Sequence, residues 1–224
     1  MAPDAPTNET PGAPQQSHAV LWILIAMCVS VEFALSASDW GWIGISRLRQ
    51  TAYEWGGFWP GLLQGWQPNF TGQPIAMFAT YGFLHGGLEH LVVNMITLWS
   101  LGRAVLNRVG LKGFVVLYFG ALIGGAIGFG ILVESFRPMV GASGALFGLA
   151  GGLLAWDYVD RYTFRDRLWP VARLVLFLVA MNVAMWWALD GQLAWETHLG
   201  GFVVGWIMAL LIDPRGRSPA DLDQ

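Results

Sequence analysis

Charge is what this sequence has least of. Only 12% of its 224 residues are Asp, Glu, Lys or Arg, about half the share of an ordinary water-soluble domain. That shortage excludes a conventional soluble globule. The 12 Lys and Arg are outnumbered by 15 Asp and Glu, giving a formal charge of −3, so no nucleic-acid partner is expected. A single cysteine, Cys28, excludes an internal disulfide and leaves the redox compartment unread. The first 17 residues hold no Lys or Arg, which makes them a poor lead-in to a secretory signal. No internal repeat is found, which argues against a transporter built from duplicated helix blocks.

What is present is apolar and comes in long blocks. The chain is 55% hydrophobic with a mean hydropathy of +0.50. Blocks of this length indicate bilayer-spanning helices rather than a barrel. The 29 glycines fit, because close helix contact in lipid relies on small residues. Residues 1–17, rich in Pro, Ala, Thr and Gln, read as a disordered cytoplasmic tail. A first span follows over His18–Ala37. Ala34-Leu35-Ser36-Ala37 would suit signal cleavage, but the missing positive charge favours a retained helix. Five further spans are expected at Ile75–Val105, Leu111–Val133, Met139–Trp156, Leu168–Leu189 and Trp195–Ile212. The first of these is long enough that its start reads as a re-entrant or loop segment. The fold class is therefore all-α: a polytopic membrane bundle of six helices over 18–213, with a short cytoplasmic tail at 214–224.

Orientation follows from the cations. With both termini on one side, that side holds Arg103, Arg108, Lys112, Arg161, Arg165, Arg167, Arg215 and Arg217, against Arg47, Arg49 and Arg137 opposite. The positive-inside rule then places both termini in the cytoplasm of a cell (inner) membrane. The first connection, residues 38–74, is rich in tryptophan (Trp40, Trp42, Trp55, Trp59, Trp66) and broken by glycine. It reads either as an interfacial structure on the outer leaflet or as an ordinary folded loop, since aromatic content does not separate the two.

Polar residues inside the spans are few, and each is costly in hydrocarbon unless paired or functional. The second span carries His85, Glu89, His90 and Asn94; the fourth carries Ser143 in Gly141-Ala142-Ser143-Gly144; the sixth carries His198. The topology puts all of them in the outer half of helices running the same way. A serine needs a base to act as nucleophile. Ser143 alone could be a small packing residue, but His198, Gly201 and Gly205 share one face of the sixth helix, and Gly144, Gly148 and Gly152 form a ridge on the fourth. Two such faces allow the backbone approach that would join Ser143 to His198. His90 and Asn94, four apart, could aim donors at a developing negative charge. A metal site at His85, Glu89 and His90 is disfavoured, because residues five apart on a helix diverge by about 140°.

Together these motifs resemble the rhomboid family of intramembrane serine proteases over about Pro74–Leu211. The resemblance rests on His85, His90 and Asn94 in the second helix, Gly141-Ala142-Ser143-Gly144 opening the fourth, and His198, Gly201 and Gly205 in the sixth. It implies a catalytic dyad of Ser143 and His198 without an acid, and an oxyanion site of His90, Asn94 and the Ser143 amide. It further implies a structural role for His85, ring packing of Phe147 on His198, and a membrane-embedded first loop. Substrates would be transmembrane proteins met within the lipid bilayer, with helix-breaking residues and a small residue before the cleaved bond. No metal or organic cofactor is implied. The chain departs from the family where Ala76-Met77 replace a frequent Trp-Arg pair, and where Leu106-Asn107 stand in place of a frequent Glu. Both are scaffold positions, so loop anchoring is the question they raise. An inactive rhomboid-like adaptor that binds client helices is the main rival, although such relatives typically lack the serine or the histidine.

Overall fold

The computed structural model describes residues 18–133 and 136–213; the expected tails, 1–17 and 214–224, lie outside the described residues. These form seven α-helices: α1 (Ala19–Asp39), α2 (Leu48–Gly56), α3 (Gln73–Thr80), α4 (Leu88–Leu132), α5 (Ser143–Thr163), α6 (Trp169–Ala188) and α7 (Trp195–Ile212). Two 3₁₀ turns, Pro60–Gln64 and Tyr81–Phe83, complete the set. Among the described residues the extended pairing is a lone bridge between Phe58 and Met139.

Four of these helices, α1, α4, α6 and α7, are long and apolar enough to cross a membrane. Helix α4 has 45 residues and would be ~67 Å long if straight, about twice a bilayer's hydrocarbon thickness. It is not straight. Gly110 has φ 70° and ψ −176°, a conformation essentially reserved for glycine. The chain folds back there: a Cβ on Gly102 would lie 3.4 Å from the Phe114 ring, whereas twelve residues along a straight helix are ~18 Å apart. Residues 88–109 and 111–132 are thus two antiparallel arms. Helix α5, 21 residues long, carries Asp157, Asp160 and Arg161 near its end, which lowers its hydropathy.

The surface is inverted relative to a soluble protein. Val92, Ile96, Val116, Ile131, Phe177, Val183 and Trp187 are all exposed, as expected where lipid is the solvent. Helix α6 is the extreme case, with only Val171 buried. The core lies between α5, α7 and the second arm of α4, where glycines replace side chains at the contacts. A Cβ on Gly201 would sit 2.0 Å from the Gly144 oxygen, one on Gly205 2.1 Å from the Gly148 oxygen, and one on Gly128 2.8 Å from the Gly200 Cα. Such contacts maximise dispersion in a medium that offers no hydrophobic drive between helices. At the end remote from these helices' shared start, Trp156 Nε1 donates to the Ala209 carbonyl at 2.9 Å. Arg108 lies over the Trp156 ring at 4.9 Å and pairs with Asp160 at 3.0 Å and Asp213 at 3.2 Å.

The start of the second expected span is a separate segment, as its length implied: α3 ends at Thr80, and α4 begins only at Leu88, after the 3₁₀ turn and a Gly86-Gly87 break. What needs correction is the placement of His85 on the helix, which it precedes. The fourth expected span also shifts, from Met139–Trp156 to Ser143–Thr163.

The first loop is an ordered cap over this break. Glu32, fully buried on α1, pairs with Arg49 of α2 at 2.7 Å, and the same guanidinium reaches Asp39 at 2.6 Å and the His85 carbonyl at 3.1 Å. The bonds to Glu32 first, and then to Tyr53 and Asp39, raise the Arg49 pKa against the opposing effect of burial and hold it protonated. The Tyr53 hydroxyl donates to the His85 carbonyl at 2.6 Å; burial raises its pKa, so it stays a donor. Arg49 and Tyr53 thus tie the first loop to the backbone just before α4.

Candidate active site

Ser143 is the first residue of α5, and its amide belongs to a helix first turn, where N–H groups have no intrahelical partner. Gly141 sets up that start. Its φ of +124° requires glycine, and its N–H donates to the Tyr81 carbonyl at 2.9 Å. It also faces the His90 ring so closely that a Cβ would lie 2.9 Å from His90 Nε2.

Across the glycine contact, His198 sits in the first turn of α7, 7% exposed. Its Nε2 is 2.9 Å from Ser143 Oγ. The Phe147 ring stacks on the imidazole at 4.1 Å between centroids and 9° between planes. A nitrogen at this distance can take a hydroxyl proton, provided it carries the lone pair.

His90 Nδ1 accepts the Gly86 N–H at 3.1 Å, so the neutral ring carries its proton on Nε2, the atom beside Gly141. Asn94, one turn along and buried, donates from Nδ2 to the His90 carbonyl at 2.8 Å. An amide nitrogen has two hydrogens, so one remains for another acceptor. His85, fully buried, makes an edge contact with His90 at 5.3 Å between centroids. Glu89 is exposed. Among the described residues no three His, Cys, Asp or Glu side chains gather as a metal site.

The structure therefore brings Ser143, His198, Phe147, Gly141 and His90 together around the starts of α5 and α7, with Asn94 bonded to the His90 carbonyl and His85 packed against the His90 ring. One neighbour was not anticipated. Asn182, in the middle of α6, places Oδ1 2.6 Å from His198 Nδ1. Its signal was available: an isolated amide within an apolar span is costly unless it has a partner.

Comparison with known proteins gives a consistent result. The Rhomboid domain family model matches residues 72–215, well over half of the chain. RHOMBOID-like protein 4 of Arabidopsis thaliana is 35% identical over 135 residues, which is 59% of this chain and 33% of that protein. Rhomboid protease GluP of Bacillus subtilis is 33% identical over 126 residues, 56% of this chain and 24% of its own. Rhomboid protein 1, mitochondrial, of Saccharomyces cerevisiae is 29% identical over 143 residues, covering 55% and 38%. The chain thus spans well under half the length of these curated relatives.

Proposed function

The chain belongs to the rhomboid family, and from that premise we propose that it is an intramembrane serine endopeptidase working through Ser143 and His198. The observation that carries this reading is the 2.9 Å contact between Ser143 Oγ and His198 Nε2. It occurs inside a multi-pass integral membrane protein whose relatives include a named protease. Ser143 attacks a peptide carbonyl while His198 takes its proton. The tetrahedral oxyanion is met by the Ser143 amide, His90 Nε2–H and the free Asn94 N–H. Collapse breaks the C–N bond as His198 returns the proton to the leaving amine, leaving an acyl-enzyme. Water, deprotonated by His198, then hydrolyses the ester and restores Ser143.

The substrate is a transmembrane protein cut in or beside its membrane segment. In this reading α1, the two arms of α4, α5, α6 and α7 are six spans, and both termini face the cytoplasm across an inner membrane. The loop at 38–74 rests on the outer leaflet, its exposed Trp42, Trp55 and Trp66 suiting a headgroup region.

The test is Ser143→Ala in reconstituted vesicles. A fluorophosphonate should label the parent and not the variant, and a model transmembrane substrate should be cut only by the parent. A parent that binds the substrate but neither cuts it nor takes the label would instead be an adaptor for client helices.

A further inference from the structure

We propose that Asn182 is a positioning residue for His198, selecting the imidazole tautomer in which Nε2 can accept the Ser143 proton. The proposal rests on the serine-protease reading above and deepens it. The amide orientation is decided locally: Asn182 Nδ2 donates to the Leu178 carbonyl at 2.9 Å, one turn back on α6. Oδ1 is thereby turned to His198 Nδ1 at 2.6 Å. An amide oxygen only accepts, so Nδ1 must carry the hydrogen. A neutral imidazole with Nδ1–H has its lone pair on Nε2, the atom facing Ser143. Phe147 cannot make this choice, because a stacked ring fixes the imidazole plane and is indifferent to the proton's position.

Among the residues that line the adjoining cavity, Asn182 is the one side-chain acceptor for Nδ1. Asn182 and His198 edge a cavity of about 480 Å³ between α6 and α7, otherwise lined by Phe147, Val179, Val183, Leu199 and similar apolar groups. In such a setting an Nδ1–H without an acceptor is unfavourable. Removing Asn182 would therefore favour the opposite tautomer, in which Nε2–H donates to Ser143 Oγ and no base is present. Asn182 does for His198 what the third member of a serine-protease triad does, but with a neutral acceptor from a different helix. The same bond ties α6, which buries little else, to α7.

The variants are Asn182→Leu, close in shape without the acceptor, and Asn182→Asp, which keeps it. Loss of tautomer control in a charged triad costs ~10⁴ in turnover. A neutral acceptor contributes less, and Asn182→Leu should lower kcat by roughly 10- to 100-fold with little change in KM. Fluorophosphonate inactivation, which needs no docked helix, should slow in parallel, and Asn182→Asp should recover most of both rates. Imidazole ¹⁵N spectra should show Nδ1 protonated in the parent and Nε2 protonated in Asn182→Leu. An Nε2-protonated parent, or an Asn182→Leu enzyme that changes KM alone and keeps the parent tautomer, would overturn the proposal. The spectra read the tautomer even if Ser143 proved unreactive, so failure of the protease reading and failure of this one are distinguishable.

Discussion

Alanine at Gly201 is the smallest perturbation that tests how the site is held together. Its Cβ would lie 2.0 Å from the Gly144 oxygen and 2.7 Å from the Gly144 carbon, where ordinary contact begins at about 3.4 Å. Both obstructing atoms are backbone, so no rotamer change relieves the clash, and α5 and α7 must part by about 1.4 Å along that line. Gly144 adjoins Ser143, so nearly all of the displacement reaches the nucleophile. The Ser143–His198 contact of 2.9 Å would stretch to roughly 4 Å, beyond hydrogen-bond reach. Misplacement of that size can cost ~10²-fold in rate, and cleavage by Gly201→Ala should fall at least that far. The assay is cleavage of a model transmembrane substrate in vesicles, read beside fluorophosphonate labelling and thermal unfolding in detergent. Gly205→Ala meets the Gly148 oxygen at 2.1 Å but one turn farther from Ser143, so it should lose similar stability and less activity. Gly44, with nothing within 4 Å of an added Cβ, should accept alanine unchanged. A Gly201→Ala enzyme of parental activity and stability would refute the glycine-packed register and the route to the site built on it.

Three further outcomes are expected. His90→Ala and Asn94→Ala should each slow cleavage by ~10²–10³-fold, the loss typical of one oxyanion donor, and leave the unfolding temperature near that of the parent. Arg49→Ala strands the buried Glu32 carboxylate and should destabilise by about 3 kcal/mol; adding Glu32→Leu should recover part of that loss in a double-mutant cycle of unfolding in detergent. A reporter fused after Gln224 should read as cytoplasmic and one inserted at Gly191 as external; an external C-terminus would defeat the six-span topology.

What the sequence made legible was whatever repeats with helical spacing or is expensive in lipid. Gly201 and Gly205 opposite Gly144 and Gly148 could be paired because small residues at three- and four-residue intervals define a face. His85 was assigned to the second helix because its surroundings are apolar. The warning was Gly86-Gly87, where φ at Gly87 is +110° and a helix cannot continue. Glu32 was visible as the one carboxylate in its apolar run and Asn182 as the one amide in its own. Their partners were not, because Arg49 arrives from a loop and His198 from a neighbouring helix, through contacts that no local spacing encodes. Gly110 falls in the break expected between Val105 and Leu111, but composition does not show that this single glycine makes the whole turn.

The turn at Gly110 also bears on how the chain is made. With a single residue between them, the arms at 88–109 and 111–132 have no slack to enter a bilayer one after the other. Arg103, Arg108 and Lys112 flank the bend and, in the proposed orientation, resist being drawn across the membrane. The pair is then expected to insert as a preassembled hairpin whose tip never leaves the side of synthesis. Lengthening the tip with a flexible linker would separate the two insertion events, and the arm carrying His90 and Asn94 would lose its fixed partner during biogenesis.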